Sequence, residues 1–106
     1  MIEPTAEELK LYRQAISFLK KNSGVKHSIS VKRISLKNLD GLCKFTNNKF
    51  IVLISNKLSI SHSIDVAIHE IAHAMCWGKE KDKHGDMWGI CYSKLYRIFL
   101  NDFLNG

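Results

Sequence analysis

Apolar residues near the start of the chain recur at helical intervals. Side chains three or four positions apart form one apolar face: Leu9, Tyr12, Ile16 and Leu19. This spacing predicts an amphipathic helix. Thr5 and Glu8 precede it with the spacing of a capping box, so Thr5 is the predicted N-cap. Gly24 is suited to the position just after the end of the helix.

The period changes to two between His27 and Leu58. Alternating apolar and polar residues over 29–37 predict an exposed or edge strand. Two further runs, over 42–46 and 49–54, predict strands that flank the tight turn Asn47-Asn48. We expect these two strands to form a hairpin.

Helical spacing returns after residue 60. Ser61 or Ser63 is the predicted N-cap of a second helix, which ends near Trp77-Gly78. Its predicted buried face consists of Ile64, Ala67, Ile68, Ile71, Ala72 and Met75. A charged loop over 79–83 leads to a third helix, for which Asp86 is the predicted cap. The inward side chains of this last helix are predicted to be Trp88, Cys91, Leu95, Ile98 and Phe99.

The order of helix, three strands, helix and helix predicts an α+β fold, with the helices packed on one small sheet. The 106 residues suffice for a single small domain, 1–106, and an apolar content of 45% is ordinary for a globular protein. No segment reaches the roughly 20 apolar residues of a membrane span, so no membrane association is expected.

Cysteine usage and the N-terminal residues predict a cytoplasmic location. The three cysteines, Cys43, Cys76 and Cys91, are odd in number and include no CxxC pair, which argues against a disulfide framework. The first residues lack the basic region and the hydrophobic stretch of a secretory signal.

The chain is basic, with a formal net charge of +6. This charge is compatible with nucleic acid as a partner. The 13 lysines are scattered, however, and no run is longer than Lys20-Lys21, a distribution that also fits an ordinary solvated surface.

The strongest chemical motif is His69-Glu70-Ile71-Ala72-His73, an HExxH sequence within the predicted second helix. Residues four apart lie one helical turn apart on the same face, so His69 and His73 can face one metal ion. Glu70 can reach a water molecule bound there. The pattern is typical of zinc-dependent peptide hydrolysis, with Glu70 as the general base.

A catalytic zinc ion has three protein ligands and one position for water. His84, which follows the charged loop, is the predicted third ligand. Glu80, Asp86 and Cys76 are alternatives. Glu80 follows too closely on the end of the helix, Asp86 is the predicted cap, and a cysteine among histidines would favour a closed structural site.

These segments resemble the SprT-like zinc metallopeptidases, which include the Spartan proteases that degrade proteins crosslinked to DNA. The resemblance rests on HEIAHA at 69–74 and HGDMW at 84–88, which match the HExxHA and HGxxW of that family. Gly41-Leu42-Cys43 and residues 51–55 resemble its glycine-marked hairpin and the strand before the catalytic helix. The likeness covers roughly residues 40–90.

The resemblance implies a minimal zincin-like fold and one SprT-like metallopeptidase domain over 1–106. It also implies Zn²⁺ held by His69, His73 and His84, with Glu70 as the catalytic acid and base. The implied substrate is a protein associated with DNA. The chain has no cysteine-rich zinc ribbon, so surface lysines would have to contact the DNA.

Two other functions stay open. One is a zinc-containing DNA- or protein-binding module without proteolytic activity. The other is an ImmA-like, repressor-cleaving peptidase, a type that uses an acidic third ligand. Tyr92 and Tyr96 on the last predicted helix are candidates for stabilising an oxyanion, although neither is assigned to the catalytic set.

Overall fold

Three α-helices and a three-stranded sheet make up the structure, a computed structural model that describes residues 3–79 and 84–106. In chain order the elements are α1 (Ala6–Asn22), β1 (Ser28–Ile34), β2 (Gly41–Thr46), β3 (Lys49–Ser55), α2 (Ile60–Met75) and α3 (Asp86–Ile98). A π-helical segment, Phe99–Leu104, continues directly from α3. This order confirms the predicted α+β class.

Helix α1 begins at the predicted capping box. The Thr5 hydroxyl accepts a hydrogen bond from the Glu8 amide at 3.1 Å, and the Thr5 amide donates to Glu8 Oε1 at 2.9 Å. These two bonds satisfy backbone donors that have no partner within the helix. Gly24 adopts a φ of +73°, a conformation that glycine adopts without steric cost, and the helix ends just before it.

The sheet has the strand order β1-β3-β2. Strands β2 and β3 form the predicted antiparallel hairpin, and their turn places Asn47 and Asn48 at φ values of +51° and +61°. Two consecutive residues with positive φ match the turns that suit the twist of a hairpin. Strand β1 lies at an edge, as predicted, and pairs with β3 in parallel.

Helix α2 begins earlier than predicted, because its N-cap is Ser59 rather than Ser61 or Ser63. The Ser59 hydroxyl accepts from the His62 amide at 3.1 Å. Ser63 is fully buried inside the helix, where its hydroxyl accepts from Arg33 Nε at 3.2 Å. The same guanidinium donates to the Leu58 carbonyl at 2.9 Å and thereby ties β1 to the start of α2.

Helix α3 differs from the prediction at its start and in its inward face. Gly85 occupies the N-cap position and Asp86 is the first helical residue, without a side-chain capping hydrogen bond. Its carboxylate still lies at the helix end that favours negative charge. Leu95 is buried as predicted, as is Phe99, which begins the π-helical segment. Three predicted inward residues are only partly buried: Trp88, Cys91 and Ile98.

The hydrophobic core lies between the sheet and the helices. Its largest fully buried side chains include Leu19, Val52, Ile54, Ile68, Ile71 and Leu95. Of the predicted charged loop over 79–83, residues 80–83 lie outside the described residues. Among the described residues, no helix combines the length and apolarity that crossing a membrane requires.

Gly41, the first residue of β2, allows this strand to approach α2 closely. A Cβ atom added there would lie 2.5 Å from Val66 Cγ1 and 3.4 Å from Glu70 Cγ. Contacts below 3 Å require the neighbouring atoms to shift. The absence of a side chain at Gly41 therefore sets how near β2 lies to the helix turn that carries Glu70.

We expect Gly41→Ala to lower the free energy of unfolding by about 1–3 kcal/mol, the usual cost of overpacking. Gly89, which lies inside α3, provides a matched control, because a Cβ atom added to it would have no neighbour within 4 Å. Gly89→Ala should raise stability by up to about 1 kcal/mol through helix propensity. Urea unfolding of the metal-free variants measures both changes, and equal stability of the two variants would contradict the close approach at Gly41.

Candidate metal centre

Three histidines converge beside α2. One nitrogen from each of His69, His73 and His84 lies within 4.8 Å of the other two, and the Nε2 atoms of His69 and His84 are 3.1 Å apart. Nitrogens bound to one tetrahedral zinc ion lie roughly 3.4 Å apart, so the cluster has suitable dimensions. Its donors are all imidazoles, which suit zinc and several other divalent metals.

The helix supplies two of these side chains and a turn supplies the third. His69 and His73 lie one turn apart on α2, with ring centroids 5.1 Å apart. His84 lies in the turn before α3, and its centroid is 5.0 Å from each of the other two rings. The structure thus brings all three predicted ligands together, while their role as ligands stays a prediction.

Two of the alternative ligands, Asp86 and Cys76, do not join this cluster. Among the described residues, His69, His73 and His84 form the group of histidine, cysteine or acidic side chains that could share an ion. Asp86 lies in the first turn of α3, and the Cys76 thiol hydrogen-bonds to the His73 carbonyl at 3.8 Å. Glu80 lies outside the described residues.

Glu70 lies against β2 at the margin of the cluster. The residue is only 8% exposed, and its Oε2 atom is 3.9 Å from His69 Nε2. On the side of Glu70 that faces β2, Gly41 lies so close that a Cβ atom added to it would be 3.4 Å from Glu70 Cγ. A buried carboxylate beside candidate ligand nitrogens is well placed to exchange a proton with a molecule bound at the cluster.

The protonation state of His69 favours ligation. Burial and, to a smaller extent, the nearby His84 imidazole lower its pKa. Both causes disfavour the imidazolium, because it is poorly solvated there and repelled by a second positive charge. The neutral ring is the form that binds a metal ion.

Trp88 also belongs to this centre, although the spacing of apolar residues predicted only an inward residue of α3 and the HGxxW match gave it no role. Its indole nitrogen donates to the His69 carbonyl at 3.2 Å, and its ring lies within 5.5 Å, centroid to centroid, of all three histidines. Trp88 follows His84 by four residues, and α3 starts between them. This short spacing is the sequence signal that could have placed Trp88 beside the histidines.

The candidate oxyanion tyrosines extend the aromatic surface away from the cluster. Tyr92 stacks on Trp88 at 5.0 Å with an interplanar angle of 17°, and its ring is 6.2 Å from that of His69. Burial, with smaller contributions from Asp65 and Tyr96, raises the pKa of Tyr92, so its hydroxyl keeps its proton. Tyr96 lies one turn further along α3 and contacts Tyr92.

Cys43 on β2 is a second neighbour of Glu70 that the motif did not reveal. Burial is the main cause that raises the pKa of its thiol to about 12, and the Glu70 carboxylate and the Cys76 thiol add to it. The side chain is therefore a neutral thiol at physiological pH. It contributes a small apolar surface beside Glu70 rather than a nucleophile.

We expect Cys43 to resist alkylation in the folded chain. With a pKa near 12 instead of 9.0, its thiolate population at pH 8 falls roughly a thousandfold, and the thiolate is the reactive form. Iodoacetamide labelling, resolved for each cysteine by peptide mass spectrometry, should show this difference between native and urea-unfolded protein. Equal rates in the two states would contradict the assignment of Cys43 to a partly buried position next to Glu70.

We expect His84→Ala to weaken Zn²⁺ binding by at least about tenfold, because one of three nitrogen donors is lost. His62→Ala is the matched control, since His62 is an exposed histidine of α2 outside the cluster. Competition with a chelating dye measures both affinities. Unchanged Zn²⁺ affinity in His84→Ala would remove His84 from the ligand set.

Comparison with solved structures identifies a similar fold. The structure resembles the crystal structure of the metallopeptidase zymogen of Pyrococcus abyssi abylysin, with a TM-score of 0.59. The two chains are 14% identical, and the match covers 86% of this chain and 94% of the other. No protein-family model matches the sequence, and no curated protein matches it.

This chain therefore shares its fold with that metallopeptidase zymogen, and the predicted α+β, zincin-like architecture is confirmed. The likeness extends over nearly the whole length of both chains. At 14% identity this likeness shows a shared fold.

Proposed function

We propose that this protein is a zinc-dependent endopeptidase. The observation that carries the proposal is the cluster of His69, His73 and His84, with the buried Glu70 beside it. The shared fold with a metallopeptidase supports the same conclusion. The three imidazoles would hold the ion and leave one coordination position for water or substrate.

The zinc ion, when bound, lowers the pKa of a water molecule and polarises the carbonyl of the peptide bond. The remaining chemistry belongs to Glu70. Its carboxylate accepts a proton from the attacking water and then delivers that proton to the nitrogen of the departing amine. Contact with β2 restricts the side chain to the side of α2 where the cluster lies.

The finer assignment is a SprT-like peptidase that acts on proteins associated with DNA. The HExxHA and HGxxW segments support the family, and the net charge of +6 supports a polyanionic partner. An ImmA-like peptidase has an acidic third ligand, whereas a histidine, His84, completes the cluster described above. This difference favours the SprT-like assignment.

We expect Glu70→Gln to keep stoichiometric zinc and to lower peptide-bond hydrolysis by about 10²–10⁴-fold, the range for loss of a general base. Glu7→Gln is the matched control, because Glu7 is an exposed glutamate in the first turn of α1. Elemental analysis and cleavage of an unstructured protein such as casein measure the two properties.

Adding single-stranded DNA to the same assay tests the finer assignment. Stimulation by DNA that declines with rising salt would support a DNA-associated role. If the unaltered chain cleaves the substrate and Glu70→Gln cleaves it equally fast, the proposed mechanism is refuted. Stoichiometric zinc without cleavage of casein or of a DNA-binding protein, with or without DNA, would favour a binding module.

A further inference from the structure

We propose that Trp88 is a positioning residue that holds the three histidines in their ligand arrangement. The inference rests on the proposed function of the cluster as a metal centre. It concerns how the free protein maintains this arrangement, and it assigns Trp88 no contact with substrate. Three observations on the indole support it: its hydrogen bond, its ring contacts and its own support within α3.

The hydrogen bond attaches α3 to the helix turn that carries two of the histidines. Trp88 Nε1 donates to the His69 carbonyl at 3.2 Å. In an α-helix this carbonyl also accepts from the amide of His73, four residues later. The indole is therefore linked to the backbone between the two candidate ligands, and it limits movement of this turn relative to α3.

The ring of Trp88 contacts all three imidazoles. Its centroid lies 4.8 Å from that of His69 and 4.7 Å from that of His84, and it stacks on His73 at 5.5 Å with an angle of 29°. Each imidazole is thus restricted by the same neighbour. The restriction matters most for His84, which is exposed and lies in a turn outside the helices.

Trp88 is itself held in place by α3. Tyr92, one turn further along, stacks on the indole with an interplanar angle of 17°, and Tyr96 contacts Tyr92 edge to face. A stacked partner reduces the number of orientations open to the indole. The support for His84 therefore comes from a packed helix, although His84 lies in a turn.

Partners that orient metal ligands without binding the metal themselves affect its affinity by about 10–100-fold. Trp88→Leu removes both the ring and the donor, whereas Trp88→Phe keeps an aromatic ring and removes only the donor. We therefore expect Co²⁺ and Zn²⁺ affinity to fall by about 100-fold in Trp88→Leu and by about tenfold in Trp88→Phe. Trp77→Phe is the matched control, because Trp77 is 45% exposed and its ring contacts Phe50 instead of the histidines.

The experiment uses the full metal-free chain. Co²⁺ is titrated into each variant and followed by its visible absorption, Zn²⁺ affinity is measured by dye competition, and thermal unfolding is recorded without metal. The proposal expects weaker binding and an altered Co²⁺ spectrum at saturation in both Trp88 variants, with Trp77→Phe matching the unaltered chain. A spectral change separates positioning from a general loss of stability. If Trp88→Leu does not fold, Trp88→Phe decides.

Two results would overturn the inference, and they are distinguishable. Metal binding by the unaltered chain, together with the same affinity and Co²⁺ spectrum in Trp88→Phe and Trp88→Leu, refutes the role of Trp88 alone. No metal binding by the unaltered chain refutes the proposed metal centre, and the role of Trp88 with it.

Discussion

The site depends on the rotation of α2 about its own axis. The buried face of this helix includes Ile60, Ile64, Ala67, Ile68 and Ile71. Because successive residues of an α-helix have fixed angular positions, packing this face against the rest of the core fixes the direction of every other side chain. His69 and His73 then point toward α3, and Glu70 turns toward β2. Burial of this apolar face therefore determines which side chains of α2 lie next to α3 and which lie next to β2.

The centre combines groups whose chemical requirements differ. An imidazole must be neutral to bind a metal ion, and burial, with a smaller contribution from His84, lowers the pKa of His69 and so favours its neutral form. The Glu70 side chain is buried, and its close approach to Gly41 of β2 limits its contact with solvent. The candidate ligand nitrogens and the Glu70 carboxylate are thus brought together along α2.

Features encoded over a few residues could be predicted from the sequence. The capping box at Thr5, the turn at Asn47-Asn48 and the helical spacing of His69 and His73 are of this kind. Their geometry follows from local backbone and side-chain preferences. The candidate metal site could be predicted for the same reason, once His84 was added from beyond the loop.

Features that depend on distant residues were missed or misplaced. The parallel pairing of β1 with β3 is set by long-range packing. Ser61 and Ser63 were plausible caps by spacing, but Arg33, 30 residues before Ser63, binds the Ser63 hydroxyl inside the helix. The close approach of Gly41 to α2 also becomes visible only when the elements are packed.

The contact between Gly41 and Val66 has an evolutionary consequence. The two positions share one small volume, so a residue smaller than valine at position 66 removes the closest steric conflict of a side chain at position 41. Substitutions in direct contact are not additive in their effects. Positions 41 and 66 should therefore vary together among related chains, and their joint variation would record the distance between β2 and the helix that carries Glu70.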